Sequence, residues 1–246
     1  VEWALLNFGE MQANNIFLLE VLHFCLYHGY FSCFDDFFLQ IAGTSMGFSG
    51  APSYANLFMS KFENDFVFAN NAWMNGLSLY LRYIDDIFVI WTGTRQALED
   101  ALLDLNSRHN SIKFTHTISD VSIAFLDVLV SKHSNSFSTS LYQKPTDRNN
   151  TLHFSSFHSE SLKKHLPFSQ FLRINRITSD PASLLQSIEL YSNRFRDRGY
   201  PNDIVESALA RSMFLPRHDL LKKRIKSVNT RLTVVSKFSI QSSQIR

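Results

Sequence analysis

Two hydrophobic rhythms run along this chain, a helical one near 3.6 residues and an alternating one of two, and they divide it into elements. Phe17, Leu18, Val21, Leu22, Cys25 and Leu26 keep helical spacing, and Gly29 stands where a C-terminal cap belongs, so residues 11–28 read as a buried helix. Residues 30–34 and 37–41 read as a hairpin turned at Asp35-Asp36. A loop with three glycines, Gly43, Gly47 and Gly50, feeds a helix that Ser49 or Gly50 caps, with Pro52 in its first turn. Its apolar stripe is Ala55, Phe58, Met59, Phe62 and Phe66. A second hairpin joins residues 79–84 to 87–91 around Asp85-Asp86, and Thr94 caps a helix whose core face is Leu98, Ala101, Leu102 and Leu105. Residues 112–118 and 122–130 fit a hairpin around Ser119-Asp120, and 138–142 fit a further edge strand. Helices and antiparallel strands mix without regular βαβ alternation. That pattern predicts an α+β domain with one antiparallel sheet and packed helices.

Beyond residue 143 the pattern becomes helical with short breaks. Asp180 as cap, Pro181 at the first position, then Leu184, Leu185, Ile188, Tyr191 and Phe195 inside and Gly199 after the end, delimit one helix. Its neighbour begins near Pro201 and carries Ile204, Val205, Ala208, Leu209 and Met213 on one face. Arg198-Gly199-Tyr200-Pro201 therefore joins an αα pair of helix-turn-helix type. The Ser-rich segment 231–246 is weakly patterned and reads as frayed.

Composition adds an ordinary globular class: 45% hydrophobic and 19% charged residues exclude a disordered chain or a fibre. The longest apolar region, residues 16–42, is interrupted by Glu20, His23, His28 and Asp35-Asp36, so no membrane span is expected. No secretory signal opens the sequence, and Cys25 and Cys33 match no zinc spacing, which reads as an intracellular protein with free buried thiols. The net charge of +2 conceals a division after Tyr142. Residues 1–142 hold 6 Lys+Arg and 14 Asp+Glu, 6 − 14 = −8, and residues 143–246 hold 18 and 8, 18 − 8 = +10. An acidic module joined to a basic one fits a metal-binding part beside a phosphate-gripping part. A basic solvated helical face would have the same composition.

Tyr83-Ile84-Asp85-Asp86 carries the densest chemistry. Asp is depleted in strands, and neighbouring carboxylates raise each other's pKa unless a cation neutralises them. A divalent ion is one resolution, since Mg²⁺ is held by one or two carboxylates with substrate phosphates completing its shell. A plain surface turn is the other. His153, His158 and His165 lack a Cys or carboxylate at metal-ligand spacing and read as surface or phosphate-facing residues.

Several motifs in order widen the reading. Gln40-Ile41-Ala42-Gly43-Thr44-Ser45-Met46-Gly47, Ala51-Pro52-Ser53-Tyr54-Ala55-Asn56-Leu57-Phe58-Met59, Tyr83-Ile84-Asp85-Asp86, Phe125-Leu126-Asp127 and Lys144-Pro145-Thr146-Asp147-Arg148-Asn149 follow one another. In content, order and spacing this series resembles the successive motifs of Penelope-like retroelement reverse transcriptases, over roughly residues 15–215. The resemblance implies a right-hand RNA-directed DNA polymerase using two Mg²⁺ (or Mn²⁺) ions, an RNA template with a DNA primer, and dNTPs. Residues 1–142 would be most of the palm, with Asp85 a metal ligand and Asp86 its partner carboxylate. Gln40, Gly43, Thr44, Met46, Gly47 and Tyr83 would face the template strand and incoming nucleotide. Phe125, Leu126 and Asp127 would lie near the primer grip, and Lys113 would be a general acid toward leaving pyrophosphate. Residues 143–246 would be a helical thumb with a helix-turn-helix, where Lys144, Arg148, Lys163, Lys164, Arg173 and Arg176 grip the nucleic-acid backbone. Nuclear action is what the family implies.

The pattern also departs from the family. A third aspartate is expected on a strand well upstream of the glycine loop, and Asp35 and Asp36 lie too close to that loop to be it. Val1 reads as a truncation point, with fingers and the first catalytic strand lying before it and no endonuclease following. Three functions fit: a reverse transcriptase fragment inactive on its own, a non-enzymatic nucleic-acid-binding protein, or a decayed retroelement remnant.

Overall fold

The computed structural model describes residues 15–45 and 47–222, which form a mixed α+β protein of short helices and small antiparallel sheets. Two compact units part between His116 and Thr117. The charge divide falls later, after Tyr142, so the second unit includes strands of acidic-half sequence. The helix over 11–14, the tail from 231 and Met46 lie outside the described residues.

The first unit begins with α1 (Asn15–Tyr27) and the hairpin β1 (Tyr30–Cys33) and β2 (Asp36–Leu39). The burial expected for α1 is not found: Phe17 and Phe24 are 63% and 61% exposed, because no described element covers that face. Cys33 is exposed as well, against the expectation of a buried thiol. α2 (Ala51–Glu63) starts at Gly50, with Pro52 in its first turn, and continues as a π-helical stretch, Asn64–Phe68. A short α3 (Asn71–Met74) leads to β3 (Leu77–Tyr83) and β4 (Asp86–Trp91), and then to α4 (Arg95–Ser107). Thr94 caps α4 by accepting from the Ala97 amide. Phe62, Val67, Trp73, Ala101 and Leu105 are the buried centre of the unit. Gly76 is required by close approach, since a Cβ there would lie 2.3 Å from the Trp91 indole.

Residues 112–118 are not a strand. The Asn106 side chain takes the place of a strand partner, accepting from the Phe114 amide at 2.6 Å and donating to its carbonyl at 3.0 Å. Ile112 and Phe114 still pack on the core.

The second unit opens with β5 (Ser122–Phe125), β6 (Val128–Lys132) and β7 (Phe137–Leu141), followed by α5 (Glu160–Ile177), α6 (Pro181–Asp197), α7 (Asn202–Met213) and α8 (Arg217–Leu221). Phe171, Ile174, Phe195, Tyr200, Val205 and Ala208 are its buried centre. Leu185, expected inside α6, is 68% exposed. Ser179, in the α5–α6 turn, exchanges hydrogen bonds with Thr139 of β7, which ties sheet to helices. α6 ends in a Schellman motif: the Gly199 amide bonds the Arg196 carbonyl, the Tyr200 amide bonds the Phe195 carbonyl, and Gly199 has φ +76°. The hydrophobic contact that accompanies the motif is Phe195 against Tyr200, with ring centroids 5.0 Å apart.

The expected single sheet is three: β1-β2, β3-β4 and β5-β6-β7. Each pairs strands consecutive in sequence, as local hairpins do. Three of these hairpins share one turn. Phe34, Ile84 and Leu126 take the first loop position at φ 55°, 56° and 53°, and Asp35, Asp85 and Asp127 take the second. The turns expected at Asp35-Asp36, Asp85-Asp86 and Ser119-Asp120 are corrected accordingly. An apolar residue at positive φ is costly, about 1–3 kcal/mol, and persists only where its surroundings over-determine it. In β3-β4 the reason is register. Pairing Tyr83 with Asp86 and Arg82 with Ile87 keeps Tyr80 and Arg82 together on the face toward α2, and a one-residue slip would turn both away.

Candidate carboxylate hairpin and basic helical segment

Asp85 occupies the turn of β3-β4 and Asp86 the first position of β4, opposite Tyr83. Both carboxylates are exposed, and among the described residues neither has a cation within ion-pair distance. Their oxygens are donors that suit a hard divalent ion such as Mg²⁺. Among the described residues no three His, Cys, Asp or Glu gather as a metal-holding group. Tyr83 stands on the same strand face as Leu81, with its ring 58% exposed.

Beneath the turn lies a network that sequence reading did not single out. Arg82 donates from Nε to Glu63 Oε1 at 2.5 Å, and from Nη1 to Asn56 Oδ1 at 2.7 Å and the Ile84 carbonyl at 3.1 Å. Tyr80 Oη donates to the same Glu63 oxygen at 2.9 Å. The Arg82 and Glu63 side chains are only 10% and 8% exposed. Burial, and then the Glu63 carboxylate, push the Tyr80 phenol well above its ordinary value. The one available signal was Arg82, a charged residue inside an apolar strand.

The loop after β2 is folded by Gln40, whose amide nitrogen bonds the Gly29 carbonyl and whose side chain donates to the Ala42 carbonyl at 2.9 Å. Gly43 takes φ +74° there. Gln40, Gly43 and Thr44 line an open groove of about 620 Å³ with Tyr54 and Phe58. Gln40 and Gly47 border another hollow, of about 700 Å³, with Phe24, Tyr30 and Phe48. Lys113 donates to the carbonyls of Asn106 and His109 at 2.5 and 3.0 Å, at the C-terminal end of α4. That is the position of a helix-terminal cation.

In the second unit, Phe125 and Leu126 lie at the β5-β6 turn and Asp127 forms an ion pair with Arg173 of α5. Residues 143–159 form no helix, although the sequence pattern placed them in a helical region. They dock on the C-terminal half of α6 instead. Arg194 binds Asp147 at 2.8 Å and Gln143 at 3.4 Å, and its carbonyl accepts from the Asn149 side chain at 2.9 Å. Within this segment Asp147 and Asn149 face the helix, while Lys144 and Arg148 are exposed. Lys163 donates to the Ser156 carbonyl and lies 5.2 Å from the Phe154 ring centroid. Lys164 pairs with Glu160 at 3.3 Å, and Arg176 is exposed in the last turn of α5.

Charge is less concentrated on these helices than the sequence halves suggest. Residues 143–222 hold 12 Lys+Arg and 8 Asp+Glu, 12 − 8 = +4, and residues 223–246 add 18 − 12 = 6 cations without an acid. His153, His158 and His165 hydrogen-bond to Ser155, Ser156 and the Ser161 carbonyl. Among the described residues no helix is long and apolar enough to cross a membrane.

No curated protein matches the chain, and no solved structure matches it. A family model described as the animal helix-turn-helix domain matches residues 150–210, the stretch that runs from the docked segment through α5 and α6 into α7.

Proposed function

We propose that the Asp85-Asp86 hairpin is the metal-binding edge of a polymerase palm of the Penelope-like reverse transcriptase type. The observation that supports it is a pair of exposed carboxylates, without a cation partner among the described residues, on a turn secured by a buried arginine network. Mg²⁺ or Mn²⁺ bound there would supply charge stabilisation for in-line transfer of a nucleotide from a dNTP to a primer hydroxyl. Asp85 would be the direct ligand and Asp86 its partner, with Gln40, Gly43, Thr44 and Tyr83 toward an RNA template and the incoming nucleotide. Mn²⁺ titration followed by nuclear magnetic resonance tests this. Line broadening centred on Asp85 and Asp86, abolished in Asp85→Ala, supports the reading, and resonances there that do not respond to Mn²⁺ end it. Primer extension with Mg²⁺ and dNTPs that disappears in Asp85→Ala would carry it to a working polymerase.

The match at 150–210 favours a second reading, nucleic-acid binding without catalysis. The first turns of α7 carry Asp203 and Glu206. Carboxylates at the N-terminal end of a groove-reading helix repel phosphates, so holding of the backbone by Lys144, Arg148 and Arg176 fits better than base reading. Binding to an RNA–DNA duplex should weaken steeply with salt and lose slope in Lys144→Gln plus Arg148→Gln. Weak binding indifferent to salt would exclude this role.

A further inference from the structure

Arg82 is the buried charge nearest the carboxylate pair, and the metal reading makes no use of it. It meets three residues from one planar group: Glu63 through Nε, and Asn56 and the Ile84 carbonyl through Nη1. Ile84 is the β-branched residue held at φ 56°, and Asp85 and Asp86 follow it directly. Neither turn position is glycine, so the left-handed conformation needs an external hold. The Arg82 bond to the Ile84 carbonyl is that hold, and Asn56 and Glu63 of α2 anchor the guanidinium in turn.

We infer that Arg82 is a positioning residue, whose guanidinium, braced by Asn56 and Glu63, locks the Ile84 turn and thereby aims Asp85 and Asp86. That the aim serves a divalent cation rests on the function proposed above; the hold on the turn does not. A lysine at 82 keeps a cation against Glu63 but has one nitrogen, which cannot reproduce the fork.

The experiment compares the full chain with Arg82→Lys by nuclear magnetic resonance, reading amide exchange at residues 84–86 and Mn²⁺ broadening at Asp85 and Asp86. The expected result is exchange about tenfold faster at 84–86, with Val67 and Trp73 unchanged. Mn²⁺ affinity should fall by about tenfold, the usual effect of removing a group that orients a ligand. Unchanged exchange at 84–86 overturns the inference, and so does a loosened turn with undiminished Mn²⁺ affinity. If the wild-type chain shows no Mn²⁺ broadening while Arg82→Lys loosens the turn, the metal reading fails and the hold of Arg82 on the turn stands. Should Arg82→Lys unfold the first unit, Asn56→Ala takes its place. It removes one brace, leaves the Arg82–Glu63 pair, and is judged by the same outcomes.

Discussion

Asp127 and Arg173 form an ion pair between the β5-β6 turn and α5, although the family resemblance assigns one to the primer side and the other to the nucleic-acid backbone. Each therefore alters what the other can do. With Arg173 engaged, its charge is shared between a carboxylate and any phosphate that approaches.

Asp127→Asn is expected to tighten binding to an RNA–DNA duplex and to steepen the dependence of log K on log salt by about one. The pair is solvent-exposed, at 36% and 63%, so thermal stability should change by no more than about 1 kcal/mol. Salt-dependent fluorescence anisotropy and a thermal melt measure the two effects. An unchanged slope means that Arg173 does not reach phosphate.

Arg194 should matter more. Its guanidinium joins Asp147 and Gln143 and lies 5.3 Å from the Tyr191 ring centroid, with the side chain 17% exposed. Arg194→Gln is expected to cost about 2 kcal/mol in urea unfolding of the second unit, the range for a charge-assisted contact. Arg194→Lys should recover less than half, because an ammonium cannot reproduce the fork.

Gly199→Ala tests the end of α6. The residue has φ +76°, and its added Cβ would meet the His153 ring at 3.4 Å. A loss of about 1–2 kcal/mol is expected in the same unfolding measurement. Gly199→Asn should lose less, since Asn tolerates this conformation better.

Acid should loosen the start of α6. The Ser183 hydroxyl and amide both donate to Asp180, holding its carboxyl below the ordinary carboxylate value. A depressed folded pKa contributes stability that is present above the unfolded value, near 4, and is lost as pH falls through the folded value. Asp180→Asn should therefore flatten the stability profile of the second unit below about pH 4. An identical acid limb in both proteins would show that Asp180 has no part in it.

Local chemistry explains what the sequence made legible. Thr94, the Asp180-Pro181 start and Gly199 mark helix ends through bonds to residues three to five positions away, and all three hold in the structure. Turn positions were misplaced because Phe34, Ile84 and Leu126 occupy sites where glycine or asparagine is the usual signal. α5 could not be delimited, since Pro167 sits fully buried inside it. The Arg82 network was out of reach for a different reason. Its partners lie 19 and 26 residues away, and no periodicity marks such a pairing. Asp147 and Asn149 belong to a motif that was recognised, yet only the fold reveals that they anchor it while Lys144 and Arg148 face outward.

The π-helical stretch Asn64–Phe68 limits how this chain can change in length. A widened turn accommodates one residue more than an α-helix would, and Val67, 1% exposed, is seated on the core from within it. Deleting one residue there would rewind the turn and rotate everything after it by about 100° relative to α2. Glu63, immediately before the stretch, would keep its place beside Arg82, while Val67 and Trp73 would lose theirs. Single-residue deletions should thus be tolerated far worse at 64–68 than in the exposed turn of residues 133–136, so a scan of deletions would read out the odd turn as a fixed length in the chain.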